Sequence, residues 1–148
     1  MKRFPKTTSF EQAQFLCGLG IDPHSADMSY HDINPVSRAM GDTETYSIQL
    51  MTSDYDKAQL IYGKDNVFPC WSLPGLLALM PSEIKKGDVT YHLDFAPYKD
   101  KWGAGYFSAD GIKQIKGLTE PSDPISTCVE AISWLVGNGY PLNTIEKD

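Results

Sequence analysis

The residues Val89 to Ala96, VTYHLDFA, alternate without a break: Val89, Tyr91, Leu93 and Phe95 fall on one side, Thr90, His92, Asp94 and Ala96 on the other. Strand side chains project to opposite faces with a period of two, so this segment predicts a strand with one apolar face that must be covered. Pro97 ends it. Two further strands, Trp102 to Phe107 and Ile112 to Lys116, follow across short polar connections, and the spacing predicts a three-stranded antiparallel meander. A cover for it lies near the end of the chain. Asp123 is an N-cap and Pro124 a first helical residue; Ile125, Cys128, Val129, Ile132, Leu135 and Val136 form one stripe, and Gly137-Asn138-Gly139 stops the helix.

Upstream, Thr8-Ser9-Phe10-Glu11-Gln12 can form a capping box in two registers, Thr8 with Glu11 or Ser9 with Gln12, so a helix is expected over about residues 10 to 18. Asp22-Pro23 restarts the chain with a short helical turn. Tyr30 to Asp42 has no period and contains Pro35, which reads as a long loop. Tyr46, Ile48 and Leu50 alternate within an expected strand from Thr45 to Met51, and Ala58 to Tyr62 is a second β candidate, with a helical turn over Asp54 to Leu60 as the alternative. The run FPCWSLPGLLALMP, Phe68 to Pro81, is expected to hold a short helix that is apolar nearly all round, capped by Ser72 and stopped by Pro81, and therefore buried.

These elements predict one α+β domain spanning residues 1–148: an antiparallel sheet of three to five strands packed on the C-terminal helix, with two shorter helices completing the core. A chain of this length buries roughly two-thirds of the surface it exposes unfolded, so a single core suffices. Neither an internal repeat nor a linker divides it.

Charge narrows the function classes. The formal net charge is -6, whereas nucleic-acid binders present basic stripes to phosphates, so no nucleic acid is expected as partner. The longest apolar run, Leu73 to Met80, is far short of the ~18 residues that cross a bilayer, and the Met1-Lys-Arg start lacks the apolar core of a signal peptide. A cytoplasmic protein is expected. Cys17, Cys70 and Cys128 are odd in number and outside any C-x-x-C spacing, which fits reduced thiols and neither a disulfide framework nor a zinc ribbon.

Two constellations could carry chemistry. Cys70 lies just ahead of a helix N-terminus, where the dipole can stabilise a thiolate, and His92 is the base that could serve it. No local nucleophile motif surrounds either residue, so a buried cysteine is the simpler reading; Cys17 and Cys128, on helical stripes, are read as core too. His24, Asp27 and His31 offer imidazole and carboxylate at a spacing that would place Asp27 and His31 on one helical face, an arrangement that could hold a divalent metal. Loop histidines and aspartates more commonly cap and turn. Asp54, Asp56 and Asp65 lack the calcium-loop pattern, and Gly103-Ala104-Gly105 within a strand is no phosphate loop and is read as a bulge or a close backbone approach. The sheet aromatics, Tyr91, Phe95, Trp102, Tyr106 and Phe107, lack the interleaved arginines of an RNA platform and are expected under a helix.

Three segments, Thr8 to Met28, Pro69 to Pro81 and Asp123 to Tyr140, together 52 of 148 residues, carry an S-x-E-Q helix start, a W-S-L helix closed by proline and a helix ending W-L-x-x-N-G-Y. In this combination the chain resembles an uncharacterised family of small proteins encoded by gut Bacteroidales and other gut bacteria and by their phages or prophages. The resemblance implies a mobile-element origin and an intracellular setting, and supplies no activity, cofactor or catalytic residue. In that family the position before the tryptophan is commonly alanine; here it is Cys70, a departure that speaks against a nucleophile.

The expectation is thus a non-enzymatic accessory protein that binds another protein through its acidic surface or exposed aromatics, with no cofactor. A small metal-dependent or cysteine hydrolase using His24, Asp27 and His31, or Cys70 with His92, is the alternative.

Overall fold

Ser9 opens the first helix, α1 (Phe10–Gly18), through the second of the two capping registers: its side chain accepts from Gln12 N at 3.1 Å while Gln12 Oε1 accepts from Ser9 N at 2.9 Å. The computed structural model describes residues 3–32, 48–119 and 123–146. The architecture is α+β. Among the described residues it comprises four α-helices and two antiparallel sheets, where the sequence predicts a single sheet. Packing divides the chain into two compact units, residues 7–75 and residues 76–148 together with 1–6.

The first unit holds a three-stranded sheet in the order β2-β1-β3, with β1 at Met28–Asp32, β2 at Ile48–Met51 and β3 at Val67–Cys70. Tyr30 pairs with Leu50 on one side and Phe68 on the other. On that face α1 sets Phe10 edge-on to Tyr30, centroids 6.0 Å apart, and to Phe68 at 5.1 Å. The adjacent residue His31 points to the opposite face, where it stacks on Tyr62 of a second helix, α2 (Tyr55–Tyr62). Two helices therefore sandwich a small sheet.

Three expectations are corrected here. Tyr30 to Asp32 is strand and not the start of a loop; the rest of that expected loop, 33–42, lies outside the described residues, as do 45–47 of the expected strand. Ala58 to Tyr62 is helical, not a β-hairpin arm, because Asp54 caps it by accepting from Lys57 N at 2.8 Å, in line with the alternative helical turn. Residues 28–32 are extended, so Asp27 and His31 share no helical face.

The division between the two units falls within the third helix, α3 (Leu73–Leu79), after Gly75; its Leu76 and Leu79 are buried, as is Met80 beyond it. Asn143 closes its C-terminal end: its backbone N–H donates to Leu79 O at 2.9 Å, and its Nδ2 donates to Ala78 O at 3.0 Å and Met80 O at 3.1 Å.

In the second unit the predicted meander is present with an added edge strand. β4 (Glu83–Lys86), β5 (Val89–Tyr98), β6 (Lys101–Ser108) and β7 (Gln114–Thr119) lie in sequential order. The β6/β7 register shifts between Ala104 and Tyr106, the irregularity expected of strand glycines. The last helix, α4 (Pro124–Gly137), starts as read: Asp123 accepts from Ser126 N at 2.9 Å. It covers β6, with Ile125, Cys128, Ile132 and Leu135 wholly buried and Trp134 stacked between Tyr106 and Tyr140 at 6.2 and 5.5 Å.

Candidate functional site

Cys70 ends β3, followed by Trp71 and then Ser72, the residue that opens α3. It is wholly buried. Its sulfur lies 3.6 Å from both Thr8 Oγ1 and Thr8 O, and Tyr30 Oη donates to the same carbonyl at 2.6 Å. Burial raises the thiol pKa above its ordinary value, against the lowering effect of the Thr8, Thr7 and Tyr30 contacts, so Cys70 stays protonated at neutral pH. The same burial pushes the Tyr30 phenol up to about 12. His92 belongs to the other unit, on β5, exposed, with Nδ1 3.6 Å from Glu83 Oε1. Each of the two residues has its partners within its own unit.

The three metal candidates also take separate partners. His24, in a short 3-10 turn (Pro23–Ser25), pairs through Nδ1 with Asp56 Oδ1 of α2 and meets the Tyr55 ring edge-on at 5.6 Å. His31 lies against Tyr62 with ring centroids 4.1 Å apart. Asp27 is occupied by a helix start: Oδ1 accepts from Ser72 N at 2.9 Å and Oδ2 from the Ser72 hydroxyl, while Ser72 Oγ accepts from Gly75 N at 3.1 Å. Among the described residues no three His, Cys, Asp or Glu side chains gather as a metal would need.

The Asp27 relay depends on a missing side chain. A Cβ on Gly75 would stand 2.8 Å from Asp27 Cγ, inside van der Waals contact. Alanine in a helix normally gains about 0.5–1 kcal/mol over glycine. Here it must displace a carboxylate whose two bonds to Ser72 are worth more, about 1.5–3 kcal/mol for charge-assisted bonds. Gly75→Ala is therefore expected to destabilise by about 1–2 kcal/mol, read as a lower urea midpoint at constant slope; a raised midpoint would show the carboxylate yields freely.

The feature that sequence reasoning missed is on α2. Its inward position is the smallest apolar residue, Ala58, wholly buried, whereas Leu60 is 88% exposed, Ile61 67% and Tyr62 40%. Leu60 lies about 200° around the helix from Ala58, so it is turned away from the packed side, while Tyr62, one turn on from Ala58, keeps its stack on His31. Asp54 at the N-cap followed by Ala58 was the signal available for this geometry. The consecutive apolar residues Leu60 and Ile61 masked it, since such runs read equally as strand.

The four-stranded sheet adds two concavities. One, of about 650 Å³, is lined by His92, Asp94, Phe107 and Asp110 among others. The second, of about 310 Å³, runs beside β4, between Pro81, Ile84 and the segment Tyr140 to Asn143. No helix among the described residues is long and apolar enough to cross a membrane. No protein-family model, curated protein or solved structure matches this chain.

Proposed function

We propose that this chain is a small intracellular accessory protein, carried by a phage or mobile element, that acts by binding another protein through the outer face of α2. The observation that carries the reading is the exposure of Leu60 and Ile61 on a helix in which Ala58 is the one wholly buried residue. Exposed apolar residues scattered singly need no explanation, but neighbours on one short helix, flanked by Tyr62, have the composition of an interface centre. The acidic balance disfavours nucleic acid as the partner. Three free cysteines, two of them buried, favour a reducing compartment. The mobile-element setting rests on the resemblance of the three segments named above. The hydrolase alternative has against it a buried, protonated Cys70 and the separate partners of His24, Asp27 and His31.

Leu60→Asp/Ile61→Asp tests this reading. Burial of each aliphatic side chain contributes about 1.5–3 kcal/mol, so the double variant should weaken partner binding at least about 100-fold. Both positions are exposed, and circular dichroism should be unchanged. A photo-crosslinking residue at position 61 should capture one protein stoichiometrically in cells. A partner held equally well by the double variant would sink the proposal.

A further inference from the structure

We infer that β4, an edge strand among the described residues, pairs along that edge with the same edge of a second copy of this chain, joining two four-stranded sheets into one continuous sheet. The backbone sets the geometry. Leu93 N donates to Ser82 O at 2.9 Å, and the register runs Glu83 to His92 and Ile84 to Tyr91. Antiparallel ladders alternate, so Ser82, Ile84 and Lys86 bond inward to β5, while Glu83 and Lys85 turn their N–H and C=O groups to the open side. An exposed edge of this kind is a template for another strand.

Lysines on an edge ordinarily deter pairing, and Lys85 and Lys86 would repel many strands. The order of charges makes this edge an exception for itself. With two antiparallel β4 strands related by a two-fold axis at Ile84, Glu83 of each copy faces Lys85 of the other. Those are the residues whose backbone groups point outward, so both pairs are hydrogen-bonded pairs and four backbone bonds form. Each also sets opposite charges directly across from one another, which favours the register. Ser82 faces Lys86, so no like charges meet. Glu83 is free to turn, since its side chain is 56% exposed and its contact with His92 Nδ1, at 3.6 Å, lies on the surface. On the other face Ile84, 5% exposed, meets its symmetry mate beside the groove of about 310 Å³ lined by Pro81, Tyr140, Pro141 and Leu142, apolar surface that the second copy covers. The edge belongs to the second unit and α2 to the first, and neither reading rests on the other.

Sedimentation velocity on the full chain across a concentration series tests the pairing. The wild type should show a reversible monomer–dimer equilibrium. Lys85→Glu makes both outward-bonding positions, 83 and 85, negative and Glu83→Lys makes both positive; each alone should weaken association at least about tenfold. Mixing the two single variants should restore a heterodimer, and the swapped double variant Glu83→Lys/Lys85→Glu should associate as the wild type does. These residues are exposed, so folding should persist, checked by circular dichroism. A monomer at every concentration up to about 1 mM would overturn the inference. So would association that both single variants leave intact, and association lost in Leu60→Asp/Ile61→Asp but kept in Lys85→Glu would assign self-association to α2 instead.

Discussion

Trp71→Ala is expected to remove about 3–5 kcal/mol of stability, a large share of the ~5–15 kcal/mol that holds a domain folded. Trp71 is wholly buried and is tied at three atoms within the first unit. Its N–H donates to Thr8 Oγ1 at 3.1 Å, its carbonyl accepts from Thr8 N at 2.8 Å, and its indole Nε1 donates to Ser25 Oγ at 3.1 Å. The backbone bonds survive truncation, so the loss is transfer and cavity energy plus the Ser25 contact. Trp71→Phe separates these contributions. It keeps an aromatic ring but leaves Ser25 Oγ without that donor, and should cost about 1–3 kcal/mol. Urea midpoints at constant slope give both values. If alanine cost less than phenylalanine is expected to, Trp71 would not be the centre of that core.

Tyr106→Ala should cost a comparable ~3–5 kcal/mol, but in the second unit. The ring is wholly buried, stacks on Trp134 at 6.2 Å with planes 22° apart, and its hydroxyl donates to Pro81 O at 2.8 Å. Tyr106→Phe removes only that hydrogen bond and leaves the Pro81 carbonyl without its donor, for about 0.5–1.5 kcal/mol. The alanine variant should also lose near-ultraviolet ellipticity from Trp134, while the phenylalanine variant keeps it. Equal losses in the two variants would mean that the hydroxyl, and not the ring, secures this part of the sheet.

The elements legible in the sequence were those whose local signals agree. α1 and α4 combine a capping residue with an apolar stripe, and β5 has unbroken alternation. The hidden strands are those without an apolar alternation. In β1 (MSYHD) Ser29 is wholly buried because its hydroxyl donates to Ser53 O at 2.7 Å, so no apolar period betrays the inward face. In β4 (EIKK) only Ile84 faces inward, and one apolar residue makes no pattern. α2 misled in the opposite sense, since its large aliphatic residues, Leu60 and Ile61, are exposed, where folding gives no reason for them. The candidate site was hard to read for that reason: the Asp54 cap and Ala58 mark a helix, but the consecutive Leu60 and Ile61 read equally as strand. His24, Asp27 and His31, close in sequence, were separated by the change from 3-10 turn to strand between them.

Each unit carries one thiol sealed from solvent, Cys70 in the first and Cys128 in the second, and burial raises both thiol pKa values. Alkylating reagents can reach either atom only when its surroundings transiently part. Once the half-buried Cys17 has been consumed, the two remaining reaction rates report separately how often each half of the molecule breathes. The wild-type chain is thereby equipped with a pair of native chemical clocks, one for each packing unit, with no engineered label.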